Sequence, residues 1–530
     1  MAKRLFLVFM VILLFGIGML PVFSMLLKSV MVDGRFSLVS YGGLMTSPRQ
    51  WTLMGNSMAL ASLVTIFTVA VGAPLGILLG KTDLPCRRFF TILFVIPLLI
   101  PPYIIAVSWF DLLGREGLPA HLSWVSTTTA AGFLFGLPGC VAVLFSVFLP
   151  IPMLLTMILL RTVNPRLEEA GRLVSGWRQV MKGITIPMIL PGILLSAVLV
   201  FLLSFGEFSV PNFLRYDVFP VESFTRFSAF FDFKAATATA VPVVAVMLIL
   251  LLAEAAFLRD RTYQLAPSPE MGGLLLIRLG VHGKWLFPSV AMAGFIIVMV
   301  PILVLVIQSA CMDAYVEALN RAGDSLLRSF IYALMGATLL TFFGFFTGYL
   351  IQTKALRVWR FVDSLTILLL TLPSTVIGIG LISLWNTSWT NFIYSTPFII
   401  ILGYLAKYTA LTSRISVAQF AQIPVSMEEA AQVAGAGWFR RMVLITAPLA
   451  RRGLLTCWLV GYIFSLRDTG ITMLVYPPGQ ETLPVRIFTL MANGTPELIA
   501  ALCIMMITAT LLPPGILWAM LSMMKRKGLR

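Results

Sequence analysis

The chain has 530 residues, 38 basic and 22 acidic, for a net charge of +16; 59% of it is hydrophobic and only 11% charged. A soluble domain carries about 25% charged residues because its outer shell faces water, so a soluble enzyme, a disordered protein and a nucleic-acid binder are excluded. In so apolar a chain the basic excess reports first on orientation in a bilayer.

A spanning helix needs about 20 mostly apolar residues. Twelve such stretches occur in chain order, near 5–27, 56–80, 89–109, 129–160, 187–211, 236–258, 285–308, 327–352, 361–384, 393–413, 449–466 and 496–523. The predicted fold class is therefore an all-α integral membrane protein with about 12 transmembrane helices. The first stretch follows Met-Ala-Lys-Arg but is too long for a signal-peptide core and has no A-x-A site after it, so it reads as a retained helix. Prolines inside the spans, as at Pro101–Pro102, Pro150 and Pro373, are tolerated where neighbouring helices satisfy the freed backbone groups.

With the N-terminus inside, alternation leaves 27 of the 38 lysines and arginines on the cytoplasmic side, Lys81, Lys407 and Arg414 among them. The reverse orientation inverts that bias, so both termini are predicted cytoplasmic in a bacterial inner membrane. The five cysteines (Cys86, Cys140, Cys311, Cys457, Cys503) form no CxxC pair, and the two histidines, His121 and His282, lie far apart. A disulfide framework, a zinc site and histidine-ligated metal chemistry are all unsupported. The 27 methionines are scattered and read as apolar filler.

The pattern repeats at a spacing near 260. Glu168-Glu169-Ala170-Gly171 matches Glu428-Glu429-Ala430-Ala431, Ser204-Phe205-Gly206-Glu207 matches Ser465-Leu466-Arg467-Asp468, and Arg226 matches Arg486. Earlier in each half Ile100-Pro101-Pro102-Tyr103 matches Leu372-Pro373-Ser374-Thr375 at a longer spacing, the difference falling in the outer loop 110–128 against 385–392. Six spans per half is even, so the halves share one orientation and form a parallel repeat with a pathway expected between them. The halves are 1–258 and 285–530, joined by a cytoplasmic linker 259–284 containing Pro267, Pro269 and Gly272–Gly273.

Two cytoplasmic loops, 161–187 and 420–448, share one plan. A Pro precedes Glu-Glu-Ala at the start of a helical stretch; a Gly-containing break, a second amphipathic stretch and Ile-x-x-Pro follow. Carboxylates in the first turn suit the helix dipole. The small residues Ala170, Gly171, Ala430 and Ala431 leave a flat surface, and Gly435-Ala436-Gly437 turns the chain. The plan predicts two short surface helices presenting a knob to a partner; the alternative is a basic amphipathic loop resting on lipid headgroups.

The second loop resembles the EAA loop of ABC-importer permeases, with Glu429, Ala430, Ala431, Gly435, Ile445 and Pro448 in register. The first departs from that pattern: Gly171 replaces the third motif residue, Ser175 stands at the Gly position with Gly176 next, and Pro187 comes one residue early. The resemblance covers essentially the whole chain and is greatest to permeases with both halves fused, in the ferric-iron and thiamine group; 204–243 resembles the iron(III) branch most. It implies the type I importer architecture and a coupling role for 168–182 and 428–443, with Glu168, Glu169, Ala170, Gly171, Gly176, Glu428, Glu429, Ala430, Ala431 and Gly435 at the contact. It implies two copies of an ABC ATP-binding subunit at the cytoplasmic face and a soluble substrate-binding protein outside, docking near 212–235 and 467–495. It also implies no cofactor in this chain, ATP and Mg being bound by the partner; the chain has no GxxxxGK[ST] phosphate loop of its own.

Intramembrane charges usually face a bundle interior or a cavity. Glu207 and Asp468, equivalent in the two halves, are candidate transient ligands for a hard cation such as Fe³⁺, which prefers oxygen; the alternative is a helix-end carboxylate paired locally, as Asp468 with Arg467. Tyr103, Ser374 and Thr375, beside the mid-span prolines, are the other candidate translocation residues, against a plain packing kink. No stable metal site is expected. Glu254 and Asp363, at span ends, are expected to pair with Arg259 and Arg360. The leading function is thus the permease of an ATP-driven importer, most readily for ferric iron, with thiamine, phosphonate or polyamine as alternatives. An ion-gradient transporter and a membrane enzyme are the weaker classes, since neither accounts for the duplicated loops and the latter usually needs His or Asp-rich clusters.

Overall fold

The structure is a computed structural model that describes residues 2–32, 35–37, 41–42, 46–114, 132–230, 233–257 and 275–526. Most of the outer loop 110–128 and the linker residues Pro267, Pro269, Gly272 and Gly273 lie outside the described residues. Among the described residues the protein is all-α apart from a small antiparallel hairpin, Met31–Val32 with Arg35–Phe36. Among the described residues nine helices are long and apolar enough to cross a bilayer, and three further helix pairs pass together. Together they match the twelve expected spans.

The bent pairs are where the backbone departs from simple spans. Arg87–Leu99 meets Pro102–Leu113 at 98°, and Trp359–Thr371 meets Ser374–Trp385 at 107°. The stretches expected as spans near 89–109 and 361–384 are therefore each two helices at nearly a right angle. Both corners lie before a proline, which disfavours the α region in the preceding residue, and Ile100 (ψ 144°) and Leu372 (ψ 137°) both leave it. Near Pro448, Trp438–Leu449 and Arg451–Leu466 are bent by 79°.

A second device recurs four times. The turns Phe15–Met19, Met181–Thr185, Phe295–Met299 and Met442–Thr446 are π-helical. Each closes with the following N–H bonded five residues back: Leu20 to Phe15, Ile186 to Met181, Val300 to Phe295 and Ala447 to Met442. In every case the next residue is proline (Pro21, Pro187, Pro301, Pro448). Proline has no N–H and its ring crowds the carbonyl four residues earlier. Widening the preceding turn by one residue lets the helix continue instead of breaking. In the first half this corrects the expectation of a separate second surface helix, because 177–180 runs through its π turn into the fifth span, Trp177–Phe205.

The helices form two compact units, one of 47–221 and 242–310, the other of 1–46, 222–241 and 311–530. Neither unit is one sequence half: each includes the first spanning helix of the other half, Gly280–Gln308 in one and Ala2–Ser29 in the other. In the first unit Pro48–Lys81 lies against Leu137–Leu160, and a Cβ on Gly76 would come within 2.5 Å of the Met153 carbonyl oxygen. In the second, Met312–Thr353 lies equally close to Phe398–Phe420, a Cβ on Gly348 falling 2.5 Å from the Ser416 Cβ. Gly72-x-x-x-Gly76 and Gly344-x-x-x-Gly348 are thus matching grooves of small residues. They let two backbones approach where no hydrophobic drive favours helix association in lipid. Around the first groove Leu75, Leu79, Phe94, Leu149, Met153, Val290 and Val298 form a buried core. The core brings Gly280–Gln308 of the second half against helices of the first.

Candidate functional site

In the first loop Asn164 starts the helix Pro165–Val174, its side-chain oxygen accepting from the Arg166 N–H at 3.0 Å. Pro165 is at the first helical position, where no N–H is needed. The two adjacent glutamates then point in opposite senses. Glu168 is 1% exposed and its carboxylate accepts Lys81 Nζ at 2.5 and 2.6 Å and the Thr185 hydroxyl at 2.6 Å. Glu169 and Ala170 are exposed, as are Leu173 at 90% and Val174 at 91%. Gly171 is half-buried, and a Cβ there would press on the ends of Ile184 and Val180. That close return packing accounts for the missing third alanine. The helix ends in extended Ser175 and Gly176, Gly176 at φ −76°. The Arg172 guanidinium lies 4.6 Å over the Trp177 ring.

The second loop has the same outline with different fastenings. Val425–Val433 ends on Gly435 at φ +81°, with Gly435 N–H bonded to Gln432 and Ala436 N–H to Ala431. That is a left-handed helix terminus, which glycine adopts without the Cβ penalty. Glu428 turns inward and accepts the Tyr349 hydroxyl at 2.9 Å, with Arg441 4.0 Å away. Glu429 and Ala430 are exposed, Ala431 is half-buried, and Val433 is 90% exposed. Trp438 packs beneath, against Phe6, Phe439, Phe346 and Tyr349. Lys3 sits 5.0 Å over the Tyr349 ring.

Both loops therefore present one outward carboxylate beside an apolar residue and keep one carboxylate inside. Sequence reasoning missed the fasteners Lys81, Thr185, Tyr349 and Arg441. Lys81 was read only as one more basic residue at a span end, which is the sole signal it leaves in the sequence.

The candidate pathway residues are more occupied than expected. Asp468 is buried and accepts the Tyr408 hydroxyl at 2.7 Å, the Ile471 and Thr472 N–H groups at 3.1 and 3.0 Å, and the Thr472 hydroxyl at 3.1 Å. Glu207 accepts the Ser209 N–H at 2.9 Å and the Ser209 hydroxyl. Each carboxylate thus caps the short helix that follows it, Thr472–Val475 or Ser209–Phe213. Tyr103 is fully buried just after the first broken-span corner. Ser374 begins the helix after the second corner and accepts Lys407 Nζ; Thr375 beside it is buried. Lys407, counted as cytoplasmic from sequence, lies midway along Phe398–Phe420. Asp363 pairs with Arg414 at 2.8 Å. Among the described residues no three His, Cys, Asp or Glu side chains come together as a metal site.

No family model matches the chain. Over 458 residues it is 21% identical to an Fe(3+)-transport system permease protein of Haemophilus influenzae, covering 84% of this chain and 85% of that one. Over 449 residues it is 22% identical to a ferric transport system permease protein of Actinobacillus pleuropneumoniae, covering 80% of this chain and 64% of the relative's length. The chain is a homologue of these transport permeases. A shorter relative, the molybdenum transport system permease protein of Escherichia coli, is 28% identical over 168 residues, 31% of this chain and 71% of its own. A match of that extent fits within a single repeat. The relatives are transport permeases rather than enzymes, and with the apolar helices they make this chain a multi-pass membrane permease.

Proposed function

We propose that this permease is the membrane subunit of an ATP-driven importer. Its two loops, Pro165–Val174 and Val425–Val433, dock on two copies of an ABC ATP-binding subunit at the cytoplasmic face. The observation that carries this reading is the paired presentation of an outward glutamate beside an apolar residue 90% exposed, Glu169 with Leu173 and Glu429 with Val433. An apolar residue that exposed, in a soluble-facing loop and repeated in both halves, fits a partner's groove. ATP and Mg stay with the partner. Closure of the ATPases moves the loops, and the halves alternate between outward and inward access. A soluble binding protein delivers substrate at the outer face, and both termini lie in the cytoplasm of an inner-membrane protein.

The substrate we favour is ferric iron, supported by the names of the relatives that match most of the chain. Thiamine, phosphonate and polyamine are the alternatives, and the half-length molybdenum-system relative shows how varied the cargo of related chains is. Cargo is decided by the ligand that co-purifies with the cognate binding protein: a bound organic solute in place of ferric iron overturns that assignment. For the loops, Glu429→Lys is expected to leave insertion intact, abolish uptake and release ATPase activity from substrate control. Normal uptake in that variant rejects the docking role.

A further inference from the structure

The first loop is fastened in a way the second is not, and the difference bears on how force passes through the protein. Lys81 is the last residue of Pro48–Lys81 and is 0% exposed. Its ammonium grips both oxygens of Glu168 at the base of the outward knob, and Thr185, in the π turn within Trp177–Phe205, donates to the same carboxylate. Its carbonyl accepts the Ile277 N–H at 2.8 Å, and two residues on, Asp83 accepts the Leu279 N–H at 2.9 Å. Ile277 and Leu279 lead directly into Gly280–Gln308. Lys81 and the Glu168 carboxylate it holds thus tie together the exposed loop, the end of Pro48–Lys81, the π turn at Thr185 and the approach to Gly280–Gln308. In the second loop the matching carboxylate, Glu428, accepts the neutral Tyr349 hydroxyl at 2.9 Å, meets its nearest cation, Arg441, only at 4.0 Å, and its side chain is 25% exposed.

We infer that the Lys81–Glu168–Thr185 junction is the positioning element that transmits movement of the first loop into the membrane helices, making this loop the stiff one of the pair. The inference rests on the coupling reading above. A buried ion pair is poor evidence for stability, because well-packed apolar replacements of both partners are often neutral. The same pair is a stiff link, because losing either partner strands a charge in the interior and so no intermediate arrangement is available. The second loop, whose carboxylate is part-exposed and has its cation 4.0 Å away, yields more easily.

The test uses the full chain with its ATPase and its ferric-loaded binding protein in proteoliposomes, reading iron uptake per ATP hydrolysed. Lys81→Met/Glu168→Leu removes both charges together and is expected to insert and bind the ATPase at normal amounts. Uptake per ATP should fall about tenfold, within the usual range of coupling between sites. Thr185→Val, which keeps the ion pair, should lower the ratio by about threefold on the same scale, and Tyr349→Phe should leave it within about twofold. An unchanged ratio in the double variant overturns the inference. If that variant does not accumulate, an unchanged ratio in Thr185→Val does so instead. A loss in Tyr349→Phe as large as in the double variant overturns the asymmetry. Absence of ATP-driven uptake by the unmodified chain would reject the coupling reading itself, independently of Lys81.

Discussion

At the scale of single residues, adjacent glutamates of identical chemistry take opposite roles. Glu168 and Glu169 stand side by side in sequence, and a helix turns successive residues by about 100°, so one faces Lys81 while the other faces water. The doublet was legible in the sequence; which member is fastened was not, because Lys81 lies 87 residues away. Asp468 shows the same limit. Its position allowed either a cation ligand or a locally paired helix-end carboxylate, and four donors within its own unit engage it. This separates two substitutions. Asp468→Ala strands those donors and is expected to cost about 1–3 kcal/mol, read as a lower thermal midpoint of the purified protein. Asp468→Asn keeps an acceptor oxygen for the helix cap and is expected to retain most of the folded protein and uptake. Loss of uptake with normal folding in Asp468→Asn would mean the charge itself serves translocation.

At the scale of elements, apolar run length was enough to locate the nine long apolar helices and the three bent pairs among the described residues, because the bilayer thickness sets the length. Proline decided their shape, in two ways the sequence does not distinguish by composition. Where Pro101–Pro102 and Pro373 follow an extended residue, the span breaks into two helices at nearly a right angle. Where Pro21, Pro187 and Pro301 follow a π turn, the backbone absorbs the lost hydrogen bond and the helix continues past the turn, whereas at Pro448 the same turn is followed within two residues by the 79° bend. The choice depends on whether neighbouring helices can satisfy the freed carbonyls, which is a tertiary matter. The glycine grooves are a further element-scale feature. Gly348→Leu would drive a branched side chain into the Ser413 carbonyl and the Ser416 Cβ. It is expected to reduce the membrane-inserted, detergent-stable protein severely, while Gly16→Leu, at a glycine with nothing within 4 Å, should be tolerated.

At the scale of the whole molecule, the two compact units each combine helices from both sequence halves. Ala2–Ser29 lies in the unit built mainly from the second half, and Gly280–Gln308 in the unit built mainly from the first. Co-expressed fragments 1–258 and 275–530 are therefore expected to accumulate together and to co-purify, while either alone is degraded or aggregates. Independent accumulation of one fragment in a monodisperse state would contradict that exchange. The sequence by itself determined that the chain is an apolar, helical membrane protein, where its apolar stretches lie, and which two loops share one plan. All of these follow from local composition and from periodic spacing, which burial in lipid imposes directly. Only the tertiary structure decided that Lys81 holds Glu168, that Asp468 caps a helix, and that the first helices are exchanged between units. Those outcomes depend on pairing groups far apart in the chain, and the energy of a buried charge or a close glycine contact exists only once the partner is in place.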